Sequence, residues 1–211
     1  MILIGMYDSP FVRRVAVSMK LLGMSFEHRN WSVGKDQAEI RKYNPLGRVP
    51  TLVLDDSEVI VESSAILDYL DDTVGADRAL LPKGGAARRQ ALKLMAIAVG
   101  AAEKGIAQLY EKAFRPEDKR HPPWVERCRG QMADGLDELE RVCAKLKPGA
   151  WLIGSKMTQA DITVACAATF VHEALELDAS KRPALATLVA RCEALPDFRA
   201  HHQPFFVPKA A

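Results

Sequence analysis

The feature that most constrains this chain is a change of patterning near residue 80. Before that point, short β-like runs alternate with helical patterns. After it, every long periodic stretch is helical. Ile2 to Met6 reads as a buried strand. Phe11, Val12, Val15, Ala16, Met19 and Leu22 then form one helical face, with Gly23 as its stop. Phe26 to Trp31 alternates as a second strand, and residues 34–43 are weakly helical and polar. Thr51 to Leu54 and Glu58 to Val61 are short runs split by Asp55-Asp56-Ser57, a hairpin signal. Ser63 opens a helix carrying Ala65, Ile66, Tyr69 and Leu70. The order β-α-β-α-β-β-α predicts a parallel pair first and an antiparallel hairpin last.

Gly75 through Ala86 is rich in Gly, Asp and Lys and contains Pro82, which marks a linker. With residues 81–86 as its centre, the chain divides into an N-terminal domain at 1–80 and a C-terminal domain at 87–211. Leu92, Met95, Ala96, Val99, Ile106, Leu109 and Tyr110 form the stripe of a long helix. Gly100 and Gly105 each weaken it by about 1 kcal/mol unless close packing needs them. Val125, Cys128, Met132, Leu136, Leu139, Val142 and Leu146 form a second stripe. Ile162 to Val171 is apolar nearly all round, the pattern of a helix buried on every side. Thr158-Gln159-Ala160-Asp161 in front of it is a capping-box variant contributing roughly 1 kcal/mol. Leu185, Leu188, Val189, Cys192 and Leu195 make a last stripe ending at Pro196.

A net charge of +2, with Lys and Arg scattered among Asp and Glu, gives no footprint for nucleic acid. No apolar stretch approaches a bilayer span, and the N-terminus lacks the basic and long apolar regions of a secretory signal. A cytoplasmic location follows, with no membrane partner. The four widely spaced cysteines, all beyond residue 127, read as reduced buried thiols. The five histidines form no metal-ligand spacing, and His201-His202 reads as solvated tail.

Directly after the first strand stands Ser9-Pro10-Phe11-Val12. A dithiol redox protein would carry Cys-x-x-Cys at such a turn, and here Ser9 and Val12 occupy both positions. This half therefore lacks a thiol of its own. It presents a hydroxyl and a helix N-terminus.

With those residues in view, the chain resembles a cytosolic glutathione S-transferase along essentially its whole length. Ser9-Pro10-Phe11 with Arg14 resembles the serine-type classes, nearest to tau-like Ser-Pro-Phe members. Asn44-Pro45-x-Gly47-Arg48-Val49-Pro50 resembles the stretch leading to the family's cis X-Pro bond. Glu62-Ser63 resembles its glutathione-binding pair, and Thr158-x-Ala160-Asp161 its C-domain cap. The resemblance implies an α/β thioredoxin-like N-terminal domain, an all-α C-terminal domain, a homodimer, and glutathione as co-substrate with no further cofactor or metal. The Ser-Ser-Cys motif of the zeta class and the cysteine of the omega and beta classes are absent. Maleylacetoacetate isomerisation is therefore not favoured.

Conjugation needs the glutathione thiolate, because the thiolate is the nucleophile. A free thiol titrates near ~8.5, and making it a hundredfold more acidic requires ~2.7 kcal/mol of preference for the anion. A hydroxyl donated by Ser9 supplies ~1.5–3 kcal/mol. The helix N-terminus near Pro10 adds ~0.3–1 kcal/mol. The competing reading of Ser9 is a plain helix cap. A cis bond at Val49-Pro50 would turn the Val49 backbone outward for strand addition by the tripeptide. Ser63 is expected to cap its helix and hold the γ-glutamyl carboxylate, and Glu62 to pair with the γ-glutamyl ammonium. Lys35 and Arg48 are candidates for the glycyl carboxylate, and Phe11 for the glutathione site and the electrophile pocket. Tyr110, Phe114 and Trp124 complete the candidate pocket between the domains. Tyr7 is a second candidate donor, and Phe205-Phe206-Val207 a segment for folding over the cleft. A non-catalytic interaction protein of the same fold, and a glutathione-dependent peroxidase or dehalogenase, are the alternatives.

Overall fold

The computed structural model describes residues 1–205. Strands β1 (Ile2–Ile4), β2 (Glu27–Arg29), β3 (Thr51–Val53) and β4 (Val59–Val61) form one sheet in the order β2-β1-β3-β4. β1 runs parallel to β2 with Leu3 opposite His28, and antiparallel to β3 with Leu3 opposite Leu52. The β3–β4 hairpin is antiparallel. The parallel pair and the hairpin are those the sequence predicts. The first strand is shorter than expected, ending at Ile4. Gly5 there takes φ +130, and a Cβ on it would lie 2.5 Å from Val12 Cγ2 and 2.8 Å from Val49 Cβ. That close approach brings three segments together at the end of β1.

Helix α1 (Pro10–Leu21) packs against β1 and against α3 (Ser63–Val74). Gly23 follows it at φ +73, the left-handed conformation expected of a helix stop. Between them α2 (Gln37–Ile40) is a single turn, because its polar sequence offers only Ile40 to the core.

Helices α4 (Gly85–Phe114), α5 (Pro122–Cys143), α6 (Gln159–Ala174), α7 (Pro183–Glu193) and α8 (Pro196–Ala200) make the second half. α6 is the hub, packed by α1, α4 and α7. Its run from Gln159 to Ala168 is buried throughout, as its all-round apolarity demands. The capping box forms: Asp161 accepts from the Thr158 amide at 2.8 Å. Asp161 also accepts from the Leu152 amide at 2.8 Å and the Thr158 hydroxyl at 2.9 Å, tying the preceding loop to the helix. Of the two helix-interior glycines, Gly105 is required. A Cβ there would stand 3.1 Å from Val171 Cγ1, so the glycine lets α4 approach α6, whereas Gly100 meets nothing within 4 Å.

The halves are joined by buried polar contacts. Gln159 donates to Ser18 at 3.0 Å, and Arg13 forks onto Glu193 at 2.8 and 2.5 Å. Arg13 also donates to the His201 and Phe198 carbonyls. This corrects the reading of His201 as solvated tail. Its ring is buried against Tyr7 at 5.2 Å and bonds the Asp197 carbonyl through Nδ1, because Arg13 anchors the chain there. His202 pairs with Glu173 at 2.8 Å. Phe205 meets Phe170 edge-on at 5.5 Å, while Phe206 and Val207 lie outside the described residues. All four cysteines are buried, and burial pushes the Cys143 and Cys166 thiols up to about 12, where they stay protonated. Among the described residues, no helix is long and apolar enough to cross a membrane.

Candidate functional site

Ser9 is the N-cap of α1, extended at φ −74 and ψ 123, with Pro10 in the first turn. Its hydroxyl accepts from the Val12 amide at 3.4 Å, a long capping bond. That contact engages an oxygen lone pair and leaves the hydroxyl hydrogen undirected to any group among the described residues. Pro10 has no amide hydrogen, and the Phe11 amide enters no hydrogen bond there. Half-buried Ser9 thus presents a hydroxyl donor beside an unfilled helix N-terminus, an arrangement that favours an anion.

The Val49-Pro50 bond is cis. Thr51 opens β3, and neither the N–H nor the C=O of Val49 joins the ladder or a turn among the described residues. The loop before it is held by Asn44, whose side chain donates to the Arg48 carbonyl at 2.8 Å and accepts from the Leu46 amide at 3.0 Å.

At the β4–α3 junction the structure reverses one expectation. Glu62, not Ser63, is the N-cap, and its carboxylate accepts from the Ser64 amide at 2.9 Å. Glu62 holds φ 74, a left-handed conformation uncommon for a residue with a side chain. The Ser63 hydroxyl is buried and already engaged. It donates to Glu62 at 3.0 Å and accepts from Arg14 at 2.6 Å. Its amide takes no partner among the described residues. The Ser63 amide is thus open where its hydroxyl is engaged within the protein. Burial alone would raise the Glu62 carboxyl. The Ser64 amide, the Ser63 hydroxyl and the Arg14 charge outweigh it and hold Glu62 below its ordinary value.

Arg14 carries more of this site than its sequence position suggests. It is 1% exposed, donates to Ser63, Ser64 and Thr163, and burial lowers it to about 10. In the sequence Arg14 stands out only through the resemblance of Ser9-Pro10-Phe11 with Arg14 to the serine-type classes. Its α6 partner Thr163, far along the chain, left no such signal.

The Tyr7 ring, the second candidate donor, is packed against two histidines. It stacks on His28 with ring centres 3.9 Å apart, and burial pushes its phenol up to about 12. Phe11 is half-buried beside Ser9. Lys35 and Arg48 are both exposed, in separate loops. On the C-terminal turns of α4, Tyr110 and Phe114 are 46% and 56% exposed and meet edge-on at 5.0 Å. Burial raises the Tyr110 phenol above its ordinary value, with the Arg48 charge opposing the shift and Asp8 adding to it. Trp124 has a different neighbour, Lys104, 5.4 Å from its ring centre. Six residues before Tyr110, Lys104 stands on another face of α4. A cavity of about 410 Å³ lies between α3 and α4, lined by Leu67, Leu92, Met95, Val99, Arg88 and Arg14.

Residues 3–78 match the family model for the glutathione S-transferase N-terminal domain, and residues 122–203 that for the C-terminal domain. An Escherichia coli K12 protein named an uncharacterized GST-like protein, YibF, is 30% identical over 81% of each chain. A probable maleylacetoacetate isomerase of Vibrio cholerae is 28% identical over 94% of this chain and 93% of its own. A glutathione S-transferase of Methylobacterium radiotolerans, solved in complex with glutathione sulfonate, superposes with a TM-score of 0.88 at 28% identity over 100% of this chain and 95% of that one. With both halves matched in order, and with Ser9, cis Pro50 and Glu62-Ser63 gathered at one end of a four-stranded sheet, the chain belongs to the glutathione S-transferase family.

Proposed function

We propose that this protein is a serine-type glutathione transferase, in which the Ser9 hydroxyl donates to the glutathione sulfur and holds it as the thiolate. The observation that carries the reading is the hydroxyl hydrogen of Ser9, left undirected beside an unfilled helix N-terminus. A hydrogen bond to a charged group contributes about 1.5–3 kcal/mol and the helix end about 0.3–1 kcal/mol. Together they meet the ~2.7 kcal/mol needed to ionise most of a thiol at neutral pH, without a general base. The M. radiotolerans structure, with a glutathione derivative bound, supports glutathione as the co-substrate.

The tripeptide then lies as an added strand on the Val49 backbone. Its γ-glutamyl carboxylate meets the Ser63 amide, and its ammonium meets Glu62. Lys35 and Arg48 serve the glycyl carboxylate. Phe11, Tyr110, Phe114 and, from the α4–α5 seam, Trp124 bound the space for an apolar electrophile. Residues 1–80 form the glutathione domain and 87–211 the helical domain. The protein works in the cytoplasm as a homodimer. Exposed Leu92 and the apolar lining of the α3–α4 cavity are surface that a second copy would cover.

Isomerisation is the second reading, favoured by the Vibrio relative's name. It uses the same thiolate, adding it to and expelling it from one substrate. The test is glutathione titration followed by thiolate ultraviolet absorbance across pH, on wild type and Ser9→Ala. Binding with a lowered thiol pKa that the substitution abolishes is expected. Binding without any shift would make Ser9 a simple cap and leave an interaction protein as the better account.

A further inference from the structure

The segment that delivers Ser9 is anchored by a residue outside the candidate glutathione site, His28 on β2. β1 ends at Ile4, and Gly5 opens the loop that leads to Ser9. Gly5 is tied to β2 twice. Its amide donates to the Arg29 carbonyl at 2.9 Å, and its carbonyl accepts from His28 Nε2 at 2.7 Å. A carbonyl only accepts, so Nε2 carries the hydrogen. Burial, with His201 adding to it, holds the His28 imidazole below its ordinary value despite the Gly5 bond, which keeps the ring neutral at neutral pH. The same ring lies flat on Tyr7, with centres 3.9 Å apart and planes 5° from parallel. His201 adds an edge-on contact to Tyr7 at 5.2 Å. The Ser9 amide then donates to the Met6 carbonyl at 3.2 Å and closes the turn. One half-buried side chain of β2 thus grips the loop at two points, the Gly5 carbonyl and the Tyr7 ring. Holding β1 beside β2 needs neither grip, because the strand ladder already does that.

We propose that His28 is a positioning residue for the Ser9 hydroxyl: its Nε2–H bond to the Gly5 carbonyl, backed by its stack on Tyr7, sets the loop from β1 to α1 and so the direction in which Ser9 meets the glutathione sulfur. This deepens the glutathione transferase reading and rests on it. His28 moves no proton and acts only through Gly5 and Tyr7. A hydrogen bond weakens steeply as its donor turns away from the acceptor. Loss of the His28 anchor therefore weakens the bond from Ser9 to the thiolate, while the contacts proposed at Val49, Glu62 and Ser63 continue to hold the tripeptide.

The experiment is thiolate absorbance of the glutathione complex across pH, in wild type, His28→Phe, His28→Gln and Ser9→Ala. Phenylalanine keeps a ring on Tyr7 and loses the donor, whereas glutamine keeps an amide donor at about the reach of Nε2. Below the midpoint of the wild-type thiol, His28→Phe should lower the thiolate fraction about threefold or more. Above that midpoint the two proteins should converge. Glutathione Kd, measured where the thiol is protonated, should stay within about twofold, which separates positioning from a general loss of structure. His28→Gln should recover most of the thiolate. In the Ser9→Ala background, His28→Phe should lower it no further, because the two residues act as a unit. An unchanged midpoint in His28→Phe, a loss that His28→Gln does not recover, or an equal further loss on top of Ser9→Ala each overturns this proposal and leaves the transferase reading standing. Should circular dichroism show His28→Phe unfolded, His28→Asn, too short to reach Gly5, is read by the same criteria. A wild-type complex without a lowered thiol midpoint sinks the transferase reading, and this one with it.

Discussion

The N-termini of α1 and α6 are built from the same kind of residue and use it oppositely. At α6, Thr158 and Asp161 satisfy each other and the Leu152 amide, in a setting where Asp161 is fully buried. At α1, Ser9 makes one long bond to Val12, Pro10 removes one donor, and the Phe11 amide stays open. A helix end whose polar groups are all matched internally holds a fold together. One whose groups are left unmatched at half-buried depth can bind something else. The carboxylates show the same divide. Burial raises Asp161 above its ordinary value despite the bonds it accepts, whereas Glu62 at the third such junction is held below it by Ser64, Ser63 and Arg14.

If that contrast is right, Asp161→Ala should be the most damaging change. It strips three donors of their buried acceptor and should cost about 3–5 kcal/mol, measured by urea denaturation. Ser9→Ala should do the reverse. Turnover should fall well over tenfold, a barrier increase above about 1.4 kcal/mol. Stability should fall by less than about 1 kcal/mol, because a 3.4 Å cap is weak. Equal stability losses in the two variants would erase the distinction. Thr158→Ala should cost about 1 kcal/mol of stability and leave the glutathione KM unchanged in steady-state kinetics.

The smallest effect is in pH. Glu62 has a depressed folded value, so its contribution is fully present above the ordinary glutamate range and is lost as pH falls through that depressed value. Asp161 has a raised one, so its ionisation weakens the fold as pH rises through that value. Denaturation of Glu62→Gln and Asp161→Asn against wild type, between about pH 3 and pH 7, should therefore give difference curves of opposite slope. Slopes of the same sign would break the comparison at its weakest joint.

Much of this molecule is local and was legible. The strand and helix order follows from apolar spacing, and the caps at Ser9 and Thr158 follow from a short polar residue standing before a periodic run. The long buried α6 follows from its lack of a polar face. Ser9 was readable as a candidate donor because the two positions of a redox pair are visible from sequence alone.

What tertiary structure decided is what depends on residues far apart. Arg14 bridges Ser63, Ser64 and Thr163, contacts up to 149 positions away. That partnership engages the Ser63 hydroxyl within the protein, while Glu62 caps the helix. Arg13 reaches Glu193 and draws His201 into the core, where composition placed it in solvent. α6 packs against α1 of the first half and α4 of the second, elements far apart in sequence. Periodicity reports which face a residue occupies. The partner across that face is chosen by packing, which no local pattern encodes.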